Sequence, residues 1–207
     1  MDIKQYKGLG ANNWIPLNTE KVVYLVVHHI ASSFATPEDI DHWHFNGNGW
    51  RGGIGYNEYI RKDGTIHICR GDHIGAHTRN FNSKSYGIAV EGNYQKEYDM
   101  PVAQRKSLIE RLRYHKNRFA SVVGIKGHGD LQANSCPGRF LDLDNIIEEV
   151  YDDKTQIEKD VELLTRNNII KSPNYWLLNL EEPSSRVRSE FVKILIQNMA
   201  KKIRKEI

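Results

Sequence analysis

Apolar positions run together or alternate in a rhythm that changes along the chain. From Lys21 to His28, Lys-Val-Val-Tyr-Leu-Val-Val-His is β-branched or aromatic almost throughout. Such a run is too apolar for an edge and predicts a central strand covered on both faces. Ile54 to Arg61 and Thr65 to Arg70 flank Lys62-Asp63-Gly64, a pattern that predicts a hairpin with Asp-Gly at its turn. Tyr86 to Glu91 and Val122 to Ile125 read as two more strands. Thr36-Pro37-Glu38-Asp39 joins a hydroxyl cap, proline at the first helical position and acids in the first turn, which starts a helix. Ile40, Trp43 and His44 are expected to share one face of it, and Asn46-Gly47-Asn48-Gly49 ends it. Helical period returns over Pro101 to Phe119, with Val102, Leu108, Ile109 and Leu112 marking buried or bordering positions, and over Leu141 to Val150. Residues 1–20 predict an irregular lead-in, and His73 to Lys84 a polar loop.

Strands interleaved with helices predict an α/β domain, a mixed central β-sheet flanked by helices. After Tyr151 glycine disappears and only helical periods remain. A boundary is expected there, with residues 1–151 forming one domain and 152–207 a small all-α C-terminal domain. Its helices are expected over Ile157 to Asn167 and Ser185 to Ile203, with a turn around Pro173-Asn174-Tyr175-Trp176 between them.

Composition supports that division, since 207 residues with 39% apolar content can bury one full core and leave material for a small appendage. The formal charge of +3 comes from basic residues interleaved with acids, which argues against a nucleic-acid partner. No segment approaches the roughly 18 apolar residues of a membrane span. The first residues lack the apolar core of a signal peptide, so the expectation is a chain made in the cytoplasm without a signal. The two cysteines, Cys69 in a strand and Cys136 in a loop, are expected to be free thiols.

The chemistry concentrates between Lys126 and Phe140, where His128 and Cys136 stand in one glycine-bearing loop after a strand. Both are zinc ligands by type, and a third is needed. His28, at the carboxyl end of the central strand, is the best placed. Two imidazoles and a thiolate would leave one coordination position for water on Zn2+ and suit attack on an amide carbonyl. A tyrosine or lysine in the same cleft would serve the developing oxyanion. Of the nine histidines, His29 faces the other side of its strand. His42, His67, His73 and His115 read as structural or solvated, while His44 and His77 are candidates to line the cleft.

Val-Val-His-His-Ile-Ala at 26–31, Trp43-His44, Gly49-Trp50, Gly55-Tyr56, Arg61-Lys62-Asp63-Gly64-Thr65, Ala76-His77, Asn82, Ser85-Tyr86-Gly87-Ile88, Gly127-His128-Gly129-Asp130 and Cys136-Pro137-Gly138 occur in that order. In this order they resemble the type 2 N-acetylmuramoyl-L-alanine amidases, a family of phage amidases, muropeptide-recycling amidases and animal peptidoglycan recognition proteins. The resemblance covers about residues 21–150. It implies a peptidoglycan-recognition-type fold, zinc held by His28, His128 and Cys136, and hydrolysis of the amide between N-acetylmuramic acid and L-alanine. It implies also that Tyr56 is catalytic and that His77 and Asn82 line the substrate groove.

Two positions depart from the family pattern. Asn134 stands two residues before the cysteine, where phage members often have lysine, so an amide rather than a cation would assist the oxyanion. Ala89 stands where the recycling group carries glutamate, which leaves Glu91 as a candidate substitute base. Ile169 to Leu177 resembles a short segment in the tails of phage and prophage lysins of Gram-positive bacteria. The C-terminal helices then read as wall-binding, self-associating or a stabilising cap. The implied partner is a bacterial peptidoglycan wall of Gram-positive type, reached after holin-type release. The alternatives are a non-catalytic peptidoglycan receptor on the same fold and a zinc peptidase that cuts within the stem peptide.

Overall fold

The structure is a computed structural model that describes residues 2–152, 156–173, 177 and 189–206. Its contacts divide the chain into two compact units, Met1–Tyr151 and Asp152–Ile207.

The first unit is built on six strands: β1 (Ile3–Gln5), β2 (Tyr24–His29), β3 (Glu58–Ile60), β4 (Ile66–Ile68), β5 (Ser85–Val90) and β6 (Gly124–Gly127), in the order β1-β4-β3-β5-β2-β6. β2 pairs in parallel with both β5 and β6, which explains its unbroken apolar run: covered on both faces, it has no solvent side to mark with polar residues. The hairpin of β3 and β4 is antiparallel and makes the sheet mixed. Where a continuous strand from Lys21 was expected, Thr19–Lys21 forms a 3-10 turn, with the Asn18 side chain accepting from the Glu20 N–H. The lead-in is not wholly irregular either. Ile3–Gln5 adds a parallel edge strand to β4, and because all three residues are exposed they carry no burial pattern from which a strand could be read.

One face of the sheet presents Leu25, Val27, Ile60, Tyr86, Ile88 and Val90 to helices α2 (Val102–Arg118) and α4 (Leu143–Tyr151), which contribute Leu108, Leu112, Ile146 and Val150. Val102 is exposed, since it opens the first turn of α2. The other face carries Ala89 and Tyr59, packed with Ala35, Ile40, Ile54 and Cys69. Ile40 belongs to α1 (Pro37–His42), which begins as expected with a capping box in which Thr36 and Asp39 satisfy one another's backbone N–H groups. Trp43–Gly47 then winds as a wider π turn. That change of pitch takes Trp43 and His44 off the buried face of Ile40: Trp43 is 47% exposed while Ile40 is 1% exposed. The face expected of all three residues therefore does not form.

The second unit holds α5 (Gln156–Arg166) and α6 (Ser189–Glu206). Val161, Leu164, Ile170 and Ile196 form its core, and Asp160 pairs with Arg204. Tyr175, Trp176 and residues 185–188 lie outside the described residues. Among the described residues no helix is long and apolar enough to cross a membrane. Both cysteines are free thiols.

Candidate metal centre

Three segments converge at the carboxyl ends of β2 and β6. On β2, His28 lies opposite Ala89 of β5, whose methyl group leaves room for an imidazole on that face. At the end of β6, the Gly127 N–H donates to Asp130 Oδ2 at 2.7 Å. This capping turns the chain at once into the short helix α3 (His128–Leu131), so the segment expected as loop from His128 starts with a helical turn. The chain then folds back on itself. The Cys136 N–H donates to Asn134 Oδ1 at 2.9 Å, and the Gly129 N–H donates to the Cys136 carbonyl at 2.7 Å. Glycine is required at 129, since a Cβ there would lie 2.6 Å from the Asn134 carbonyl oxygen. Cys136 is thereby carried back to β2, where its Sγ accepts from the His29 N–H at 3.4 Å.

One ligand atom each from His28, His128 and Cys136 all lie within 4.8 Å of one another. Cys136 Sγ is 3.8 Å from His28 Nδ1, close to the ~3.6 Å that zinc–sulfur and zinc–nitrogen bonds subtend at a tetrahedral angle. Residue types and spacing both fit a zinc ion. Burial, reinforced by His77 and His128, pushes the His28 pKa well below the usual imidazole value, which keeps the ring neutral with a lone pair available to a metal. Burial raises the Cys136 thiol to about 11, and the His29 N–H only partly offsets this. A bound cation would supply the missing stabilisation of the thiolate.

These groups open onto a cleft of about 350 Å³. The Tyr56 ring centroid is 5.2 Å from that of His28 and 5.5 Å from that of His44. Burial, then the nearby Cys136, raises the Tyr56 pKa, so its hydroxyl remains a proton-bearing donor. His44 lines the cleft against Trp50, and its Nδ1 accepts from the Gly55 N–H at 2.9 Å. Burial and then Arg70 lower its pKa to about 4. His77 and Asn134 line the cleft too, although Asn134 spends its side-chain Oδ1 on the Cys136 N–H.

Two of the expected residues sit elsewhere. Asn82 is not on the cleft wall; its Oδ1 accepts from the backbone N–H groups of His77 and Thr78 at 2.9 and 2.8 Å, which shapes the loop bearing His77. Glu91 is buried away from the cleft, accepting from the backbone N–H of Ala35 and Lys62 and pairing with Arg61 at 3.2 Å. A carboxylate so committed has no spare position for a proton from substrate, and the expectation of a substitute base fails on that ground. Trp50, Ser135 and Ala31 line the cleft without having been singled out as site residues in the sequence. Ala31 adopts φ 55°, a left-handed conformation that its residue type does not advertise. Gln132, whose Oε1 lies 2.7 Å from His128 Nε2, was legible in principle, being four residues along a helical turn from a candidate ligand.

The family model described as N-acetylmuramoyl-L-alanine amidase matches residues 18–139. The peptidoglycan-recognition protein SC1a of Drosophila melanogaster is 31% identical over 149 residues, covering 66% of this chain and 78% of that protein. The N-acetylmuramoyl-L-alanine amidase of Sus scrofa is 29% identical over 131 residues, 57% of this chain and 22% of that longer protein. Among solved structures, the N-acetylmuramoyl-L-alanine amidase LysC from Clostridium intestinale superposes with a TM-score of 0.63 at 33% identity, covering 72% of this chain and 97% of LysC. The matched region runs from before β2 to just beyond Cys136, and so the chain belongs to the N-acetylmuramoyl-L-alanine amidase family, with a function in cleaving or recognising peptidoglycan.

Proposed function

We propose that this protein is a zinc-dependent N-acetylmuramoyl-L-alanine amidase acting as an endolysin on Gram-positive cell walls. The observation that carries the reading is the gathering of His28, His128 and Cys136, with ligand atoms within 4.8 Å of one another, in an open cleft beside Tyr56. A zinc ion held by these three would supply Lewis acidity, polarising the scissile carbonyl and making water nucleophilic near neutral pH. The protein's own groups do the rest. His28, kept neutral by burial, stands as a ligand beside His128, and the His29 N–H steadies the Cys136 sulfur. The Tyr56 hydroxyl, kept protonated by burial, donates to the oxygen of the tetrahedral intermediate. Collapse breaks the carbon–nitrogen bond, the attacking water having supplied the hydroxyl to the acyl carbon and a proton to the departing nitrogen, and leaves the lactyl carboxylate on muramic acid and the amino group on L-alanine. His44 and Trp50 on the cleft wall contact the substrate.

The endolysin role draws on the likeness to the endolysin amidase LysCS from Clostridium intestinale, 32% identical with a TM-score of 0.63, and the C-terminal unit would serve wall binding or self-association. A zinc peptidase would need the same ligands, and a receptor would need none of them, so product chemistry decides. Purified walls of several Gram-positive species, digested by wild type and His128→Ala and analysed by mass spectrometry, should yield free muramoyl lactyl groups with new L-alanine amino termini from wild type only. New amino termini elsewhere in the stem would sink the amidase reading in favour of a peptidase. Binding without any cleavage would favour a receptor.

A further inference from the structure

His77 is expected from its sequence context to touch substrate, but its surroundings are those of a support. Only 7% of it is exposed. Its ring is wedged between two glycines: a Cβ on Gly75 would lie 2.3 Å from its Cδ2, and one on Gly87 of β5 would lie 2.6 Å from its Cγ. Its backbone is fixed by Asn82, which accepts from its N–H and from that of Thr78. Held this way, His77 Nδ1 lies 3.0 Å from His28 Nε2, with Thr78 Oγ1 sharing the same nitrogen at 3.0 Å.

The other nitrogen of His28 is the one that faces the cysteine, with Nδ1 3.8 Å from Cys136 Sγ. A neutral imidazole carries one proton, so a ring that offers its Nδ1 lone pair must bear hydrogen on Nε2. His28 Nε2–H then donates, and His77 Nδ1 accepts. His128 repeats the arrangement, because its Nε2 lies 2.7 Å from Gln132 Oε1, and the Gln132 amide nitrogen donates in turn to the Arg79 carbonyl at 3.3 Å. Both imidazoles are thus held from behind by an acceptor. Such partners fix the tautomer and ring angle of a metal ligand, and their loss commonly weakens metal binding by ~10–100-fold.

We propose that His77 is a positioning residue that sets His28 as an Nδ1 ligand, rather than a residue that grips substrate. This rests on the zinc reading above, and the test separates the two. Wild type, His77→Leu and His77→Asn would be compared by zinc titration against a chromogenic chelator, by the visible spectrum of the Co2+-substituted protein, and by KM and kcat. Leucine fills the slot without an acceptor, whereas the asparagine carbonyl stands near the position of Nδ1. Wild type should bind one zinc, His77→Leu should bind it ~10–100-fold more weakly with an altered Co2+ spectrum and a lower kcat, and His77→Asn should recover most of the loss. Unchanged zinc affinity and spectrum in His77→Leu, with only KM raised, would overturn the positioning role and restore substrate contact. Equal losses in both variants would also overturn it, since packing rather than the acceptor would then be responsible. A wild type that binds no zinc would overturn the zinc reading itself.

Discussion

Behind the cleft, on the opposite face of the sheet, Glu58 of β3 is fully buried as a charged group. Its carboxylate accepts from Arg111 Nη2 at 2.6 Å and Nε at 2.9 Å, lies 2.7 Å from His115 Nε2, and accepts from the Tyr86 hydroxyl at 3.1 Å. Burial alone would raise its pKa, but the hydrogen bonds from Arg111 and His115 prevail and lower it from 4.5 to about 2. His115 is pushed down by its own burial in spite of Glu58, so the charge that counts is on Arg111. Since the folded value lies below the unfolded one, this group's stabilisation is present in full above about pH 4.5 and is lost as pH falls through about 2. At ~1.4 kcal/mol per pH unit, the interval corresponds to about 3 kcal/mol. Glu58→Gln keeps the shape and removes the charge. It should therefore cost about 3 kcal/mol at pH 7, and the difference from wild type should shrink toward zero as both are taken to pH 2. Urea unfolding followed by tryptophan fluorescence would measure it, since Trp14, Trp43 and Trp50 all report on the first unit. Comparing the two proteins at each pH cancels the other carboxylates. A difference that stays constant down to pH 2, or grows on acidification, would refute the assignment of the stabilisation to the Glu58 charge.

Three other outcomes are expected. Chelation of zinc should abolish wall hydrolysis and lower the thermal midpoint of the first unit, by the equivalent of about 2.7 kcal/mol when free zinc had stood at 100 times its Kd; calorimetry with and without EDTA, followed by zinc re-addition, checks it. Tyr56→Phe should lower kcat by ~10²–10³-fold with zinc affinity unchanged, as read by steady-state kinetics on a soluble muropeptide; a loss of zinc affinity instead would show that Tyr56 holds the site together. Asp41→Ala removes a buried carboxylate that accepts from the N–H groups of Leu9 and Ile54, both at 2.6 Å, and from the Tyr6 hydroxyl at 2.8 Å. It should cost upward of about 3 kcal/mol in urea unfolding, with the N-terminal residues becoming accessible to protease first.

What could be read from the sequence follows from where the physical signal is local. β2 and β5 are buried on both faces, and their apolar runs announce them; β1 has three exposed residues and announces nothing. The α1 start is legible because a capping box is a matter of four consecutive residues, whereas the π turn after it is not, since it rests on how the segment meets the rest of the fold. The same division runs through the site. His28, His128 and Cys136 were legible as candidate ligands because their residue types are chemically specific, the two histidines sit at strand ends, and the cysteine follows in the loop after the second. Asn82 and Glu91 were misread because their type and spacing say that they can bond, not to whom. Glu91 is spent on Arg61 and the backbone of Ala35 and Lys62, partners that only the folded chain brings to it.

Asn134 shows what this means for the chemistry. Its amide oxygen is occupied by the Cys136 N–H, so its tie to the site is through the loop that presents the thiol. A lysine at this position would bring a cation but could not accept that N–H. On the amidase reading proposed above, Asn134 ties down the thiol-bearing loop through its oxygen, and donation to the oxyanion falls chiefly to Tyr56. Burial keeps the Tyr56 proton in place, so its hydroxyl stays a donor without the titration that a lysine would add. On this reasoning Asn134→Ala should act through the Cys136 loop, weakening zinc binding more than it slows the loaded enzyme, and Tyr56→Phe should do the reverse.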